Sequence, residues 1–163
     1  MKKYLIIILI CLIGISGSGC AVTQVLENKA DNQKHAEEVS KKLIRYINEK
    51  DVDGIEQLFN QYSRNEEKLR KDIENFIDCV DGEIEDYDFN YRGEISSSIR
   101  DGKWTRQKTQ TKLENIITDT GKKYHHISFS EYVIYTDDKD KIGITILTLH
   151  DENNKLLCRI CYM

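Results

Sequence analysis

Polar and apolar positions divide the chain into four textures. Lys2 and Lys3 precede an unbroken apolar run, Tyr4 to Ile13, which gives way to small residues from Gly14 to Gly19 and then to Cys20. Residues 21–30 carry no useful period and read as a tether. From Asp31 the pattern is helical: Ala36, Val39, Leu43 and Ile47 recur at three- and four-residue steps, flanked by Ile44 and Tyr46, with Glu and Lys opposite. The stretch "NEKDVDG" breaks this helix, and Asp51 is placed to cap a second one carrying Val52, Ile55, Leu58, Phe59 and Tyr62. "SRNE" (Ser63 to Glu66) has capping-box spacing ahead of a third helix that would bury Leu69, Ile73, Phe76, Ile77 and Val80 and end near Gly82.

Beyond Gly82 the period shortens to two. "EDYDFNY" places Tyr87, Phe89 and Tyr91 on one face. "RDGK" is a tight hairpin signal leading into a long polar strand, Trp104 to Ile117. Polar turns at "TDTGKK", "DDKDK" and "DENNK" then separate "YHHISFSEYVIYT", "IGITILTLH" and "LLCRICYM". About three helices followed by four to five antiparallel strands predict an α+β fold, with one face of a curved sheet packed on the helices.

The leading segment has the order of a secretory signal: a basic start, a short apolar core and a small-residue exit. Its apolar run is roughly half the length that spans a bilayer as a helix. Running directly into Cys20, it resembles the lipobox of bacterial lipoproteins, in which the cysteine thiol takes a diacylglyceryl group and the chain is cut just before it. Ser18 and Gly19 suit the positions ahead of the cut, whereas Gly17 stands where a branched aliphatic residue is usual. This resemblance implies residues 1–19 as a lipoprotein signal peptide and 20–30 as a lipidated tether. It also implies a palmitate-type anchor on Cys20 and an extracytoplasmic domain, 31–163, at the outer face of the cytoplasmic membrane.

Charge narrows the partners. The 24 basic and 28 acidic residues leave a net charge of −4, and loss of Lys2 and Lys3 with the leader takes it to −6. An acidic surface of this kind disfavours phosphate backbones, so nucleic acid is not an expected partner. Proline is absent, which removes the wall-sorting signal Leu-Pro-x-Thr-Gly, and abundant Lys, Ile and Asn fit an AT-rich, Gram-positive source. Of five cysteines, Cys11 leaves with the leader and Cys20 is the acyl acceptor. Cys158 and Cys161 form C-x-x-C on a strand, where residues three apart face opposite sides, so they neither pair nor share a metal. Cys79, Cys158 and Cys161 read as reduced and packed; a disulfide from Cys79 to one of the others is the alternative.

The junction "NEKDVDGIEQLF" is similar to the Asn-x-x-Asp-x-x-Gly-Leu-x-x-Leu-Phe turn between the first two helices of the nuclear-transport-factor-two-like (cystatin-like, cone-shaped) superfamily. With the lipobox and "DKIGITILTLHDENNKLLC", the chain resembles the uncharacterised Gram-positive lipoprotein domains of domain-of-unknown-function family 5104, over about residues 31–163. The resemblance implies a cone with a pocket. It does not choose an activity, because that superfamily holds isomerases, dehydratases and cyclases as well as binding domains.

Candidate chemistry is sparse. By strict alternation His125, Ile127, Phe129, Glu131, Val133 and Tyr135 share one face, which would set Glu131 among apolar and aromatic neighbours. A carboxyl so placed is a general acid or base by environment, with His125 or Tyr135 assisting. A bulge that shifts the register, or a rim position paired to Lys or Arg, is the plainer reading for Glu131, as core packing is for Tyr87, Phe89 and Tyr91. Tyr87, Phe89, Tyr91 and Glu131 are the candidate pocket lining. His125 and His126 are adjacent, point to opposite faces and cannot chelate one ion. The acids from Asp78 to Asp88 do not follow the Ca²⁺-loop pattern. No metal or cofactor is expected. Three functions follow as expectations: a non-catalytic lipid-anchored domain binding a small ligand, peptide or envelope partner; a small pocket-type isomerase or hydrolase using Glu131; or a partner protein whose strand Trp104 to Ile117 pairs with another chain.

Overall fold

The computed structural model describes residues 19–162, and side chains from residue 28 onward. The leader expected over 1–19 therefore lies almost wholly outside the described residues, as does the side chain of Cys20. The chain divides into two compact units, Met1–Lys34 and His35–Met163.

Helix α1 spans Gly19–Asn48 and so runs through both units. The stretch 20–30, expected as a tether, is helical throughout; its Ala, Gln, Leu, Glu and Lys are good helix formers even without an apolar stripe. In the second unit α1 continues with Ala36, Val39, Leu43, Ile44 and Ile47 buried, as the periodicity predicts. It ends at a left-handed Lys50, after which Asp51 caps α2 (Val52–Leu58) by accepting from the Gly54 N–H at 2.8 Å.

The second helix stops earlier than its apolar pattern suggests. Phe59 leaves the helix in extended conformation to form an isolated bridge with Ile144, and Asn60 starts a new short helix, α3 (Gln61–Arg64), by accepting from Ser63 N. Ser63 is thus a buried interior residue of α3 and not a cap. Helix α4 (Leu69–Asp78) begins at Lys68 with no side-chain cap, and buries Leu69, Ile73, Phe76 and Ile77.

Five strands follow in an antiparallel meander of order β1-β2-β3-β4-β5: β1 (Ile84–Arg100), β2 (Lys103–Thr118), β3 (Lys123–Tyr135), β4 (Gly143–Asp151) and β5 (Leu156–Cys161). The helices pack on one face of this open sheet, an α+β fold with four α-helices among the described residues. Asp101 and Gly102 both take positive φ (52° and 73°), the geometry that a two-residue hairpin with right-twisted strands requires. One core joins Leu43, Ile55, Phe59, Leu69, Phe76, Leu113, Ile127, Phe129, Leu147 and Ile160 across helices and sheet.

Two expectations are corrected by connectivity. The polar strand β2 is interior, bonded to β1 along one edge and β3 along the other, so its backbone has no free edge for another chain. Cys79 and Cys158 form a disulfide, which ties the end of α4 to the last strand, and Cys161 is the free thiol among the described residues. The thiols were expected to be reduced. Nothing in the spacing shows that the end of α4 lies beside the helix-facing side of β5, where the Leu149 partner Cys158 sits.

Candidate functional site

Two groups of side chains outside the main core carry chemistry. The first surrounds Glu131 on the helix-facing side of the sheet. Ladder partners place Thr109 directly beside Glu131 and Thr111 beside Phe129, and on the far side pair Glu94 with Thr109 and Tyr91 with Thr111. The row that began apolar at Leu113 and Ile127 therefore turns polar toward Thr109 and Gln107. Glu131 is 2% exposed. Its Oε2 lies 3.2 Å from Nε2 of His35, one turn before Val39 on α1, and the hydrogen bond with this carboxyl raises the His35 pKa above its ordinary value. Burial opposes that rise, as does Lys42, while Glu38 adds to it. Glu131 Oε1 and the hydroxyls of Thr109 and Thr111 are buried without a partner among the described residues. Gln107 donates to Glu94 at 2.7 Å.

Of the predicted lining, Phe89 and Tyr91 share this face with Glu131, and Tyr87 packs with Phe89 against the core. The two proposed assistants do not share it. His125 is exposed, and Tyr124 occupies the core position instead. The cause is a local irregularity: Asn115 of β2 adopts a left-handed φ of 54°, and β3 gains a residue on β4 between Tyr124 and His126. Tyr135 is turned away as well. Against β2 the register slips between Gln107 (opposite Ile134) and Lys108 (opposite Tyr132), so Val133 is the extra residue and Tyr135 moves to the open face. Glu131 is left with His35, a residue at the edge of the α1 stripe whose position carries no motif.

The open face holds a histidine pair: His126 stacks on His150 with ring centroids 4.2 Å apart. Burial, helped by Lys112, His150 and His125, lowers the His126 pKa to about 4, so the ring is neutral in this setting. Among the described residues no group of His, Cys, Asp and Glu is arranged to hold a metal ion.

The second group forms a cleft of about 400 Å³ lined by Asn60, Tyr62, Lys108, Tyr132, Tyr135, Lys141 and Thr145. The slip at Val133 builds it, because Tyr132 and Tyr135 now lie on the same face with ring centroids 5.2 Å apart at 83°. The far wall comes from the α2–α3 junction. Asn60 N donates to Ile144 O at 3.2 Å, and Gly143 makes that approach possible: a Cβ there would fall 2.8 Å from Asn60 N. Tyr62 donates to Asp138 Oδ2 at 2.8 Å, which anchors its ring to the β3–β4 turn. Lys141 lies 4.8 Å from the Tyr135 centroid and 5.9 Å from that of Tyr62; Lys108 lies 5.1 Å from that of Tyr132. Among the described residues neither lysine has a carboxylate within salt-bridge distance. No local motif marks this cleft, since its members come from five elements and Tyr132 and Tyr135 owe their common side to a one-residue slip.

The model of the family described as a domain of unknown function (DUF5104) matches residues 42–152, a span holding Glu131 and the whole cleft but not His35. No curated protein matches the chain. As the matched span is well over half of the sequence, the protein belongs to the DUF5104 family.

Proposed function

We propose that this protein is a lipid-anchored domain at the outer face of the cytoplasmic membrane which binds a small ligand without transforming it. The binding half of the reading rests on the Tyr/Lys cleft: a preformed concavity with aromatic walls and a few polar groups is the usual form of a small-molecule site. Support for the anchor is the lipobox-like sequence ending at Cys20. Helices followed by an antiparallel meander also fit the nuclear-transport-factor-two-like superfamily, whose binding members use the same scaffold without chemistry. No described helix is long and apolar enough to cross a membrane.

The anchor is tested in a Gram-positive host. The membrane fraction should yield an acylated peptide beginning at Cys20, and Cys20→Ser should abolish it. A Cys20→Ser protein that is still cut at the same place and still partitions with membranes overturns the anchor. The binding half is tested by thermal-shift screening of the full chain in neutral detergent against extracellular metabolites. A screen in which nothing raises the melting temperature overturns it.

An enzyme with Glu131 as general base keeps one supporting observation, the unpartnered Oε1 beside two unpartnered hydroxyls. Against it stand the sealed position of the carboxyl and the removal of His125 and Tyr135 from its face. Under that reading Glu131→Gln would abolish turnover while leaving the fold intact.

A further inference from the structure

We propose that the cleft between the α2–α3 junction and the open face of β3 takes an anionic saccharide, a sugar ring carrying a carboxylate or a phosphate. This inference rests on the binding reading above and names the ligand class for that site. The lining supplies cations and hydrogen-bond donors but no acid: Lys108, Lys141, the Asn60 amide and three tyrosines. The nearest carboxylate, Asp138, is engaged by Tyr62 through one oxygen and by Asp140 N through the other. A ligand anion entering here meets two ammonium groups that have no salt-bridged carboxylate among the described residues, Asp138 acting on Lys141 only from beyond that distance.

The two lysines are also held rather than free. Lys108 projects from an interior strand over the Tyr132 ring, partly buried, and that burial lowers its pKa, so an ammonium there gains from an arriving anion. Lys141 is placed between Tyr135 and Tyr62, within 3.4 Å of the Tyr135 hydroxyl. Each ammonium thus lies over a ring face, so a sugar whose charged substituent meets Lys108 or Lys141 finds aromatic surface and tyrosine hydroxyls beside that charge. Asn60 uses Oδ1 to cap α3, which leaves its Nδ2 as a donor for ring hydroxyls. A volume of about 400 Å³ is near the small end for ligand sites and suits a mono- or disaccharide rather than a buried chain.

The test follows the amide spectrum of the isotope-labelled full chain in neutral detergent during titration with glucuronate and with glucose 6-phosphate. Glucose, inorganic phosphate and phenyl phosphate serve as comparison ligands. Both sugar acids should shift the resonances of Tyr62, Lys108, Tyr132 and Lys141 saturably, glucose and phosphate at least about tenfold more weakly. Lys108→Gln with Lys141→Gln should weaken the sugar acids at least about tenfold, with an unchanged spectrum elsewhere showing that the fold persists. Sugar acids that bind no better than glucose, or no better than inorganic phosphate, overturn the class. Tighter binding of phenyl phosphate also overturns it, while leaving the cleft a ligand site. If none of the five moves these resonances, the saccharide proposal fails; the binding reading fails with it only if the thermal-shift screen is also empty.

Discussion

Glu131 shows how one side chain sets the local energetics. A buried carboxyl without hydrogen bonds is costly, and here His35 supplies the one described partner, from a ring whose side chain is 49% exposed. Removing the ring leaves both oxygens buried and unbonded. His35→Ala should therefore destabilise the fold by about 2 kcal/mol in urea unfolding, the order expected when a hydrogen bond to a charged group is lost. Glu131→Gln added to it should lose less than the sum, since the stranded group is then neutral. The pH dependence has a definite sign. Because the folded His35 pKa is raised above its unfolded value, its stabilisation is complete below about pH 6.5 and fades as pH rises through the folded value. The penalty for His35→Ala should accordingly be larger at pH 6 than at pH 9. Equal penalties at both would mean that the histidine matters only for packing.

Elements explain which parts could be read beforehand. Helix α1 and α4 were legible because a 3.6-residue stripe survives any detail of tertiary packing, and the β1–β2 hairpin because Asp101-Gly102 has few other conformations. Strand faces were legible only until the first irregularity. Asn115 and Val133 each shift the phase by one residue, so Ile127, Phe129 and Glu131 keep their predicted side while His125 and Tyr135 lose it. Neither residue type demands a bulge, hence no local signal was available. Gly143 is the converse case, a residue whose role is visible only in the fold. Its φ is 123°, and the α2–α3 junction packs against the place where a Cβ would be. Gly143→Ala should cost about 2 kcal/mol or more through backbone strain and the clash with Asn60 N. It should also displace Asn60 and Tyr62 from the cleft wall, read as loss of any cleft ligand's thermal shift. A variant as stable as the parent would show that the junction is not held against β4 as described.

At the scale of the whole chain, the sheet is a sequential meander, so each strand is held mainly by its neighbour, and β5 comes last with one partner. What fixes it to the helices is a set of three contacts: Ile160 in the core, the Tyr162 hydroxyl donating to Asp72 of α4, and the Cys79–Cys158 disulfide. The bond closes a loop of 79 residues that contains every strand up to β5. Chain-entropy reasoning assigns such a closure roughly 4 kcal/mol, chiefly by restricting the unfolded ensemble. Stable disulfides also belong to oxidising compartments, the setting that the proposed lipid anchor would give this domain. Reduction, or Cys79→Ala with Cys158→Ala, should lower the urea midpoint substantially. The steepness of the transition should change little, or rise slightly as the unfolded chain expands. Protection of β5 amides from hydrogen exchange should fall before that of β2 and β3, which are bonded on both sides. If the midpoint does not move on reduction, the disulfide adds nothing to what Ile160 and Tyr162 already supply. If β2 loses protection as early as β5, the sheet unfolds as one block, and the dependence of the last strand on its link to α4 is refuted.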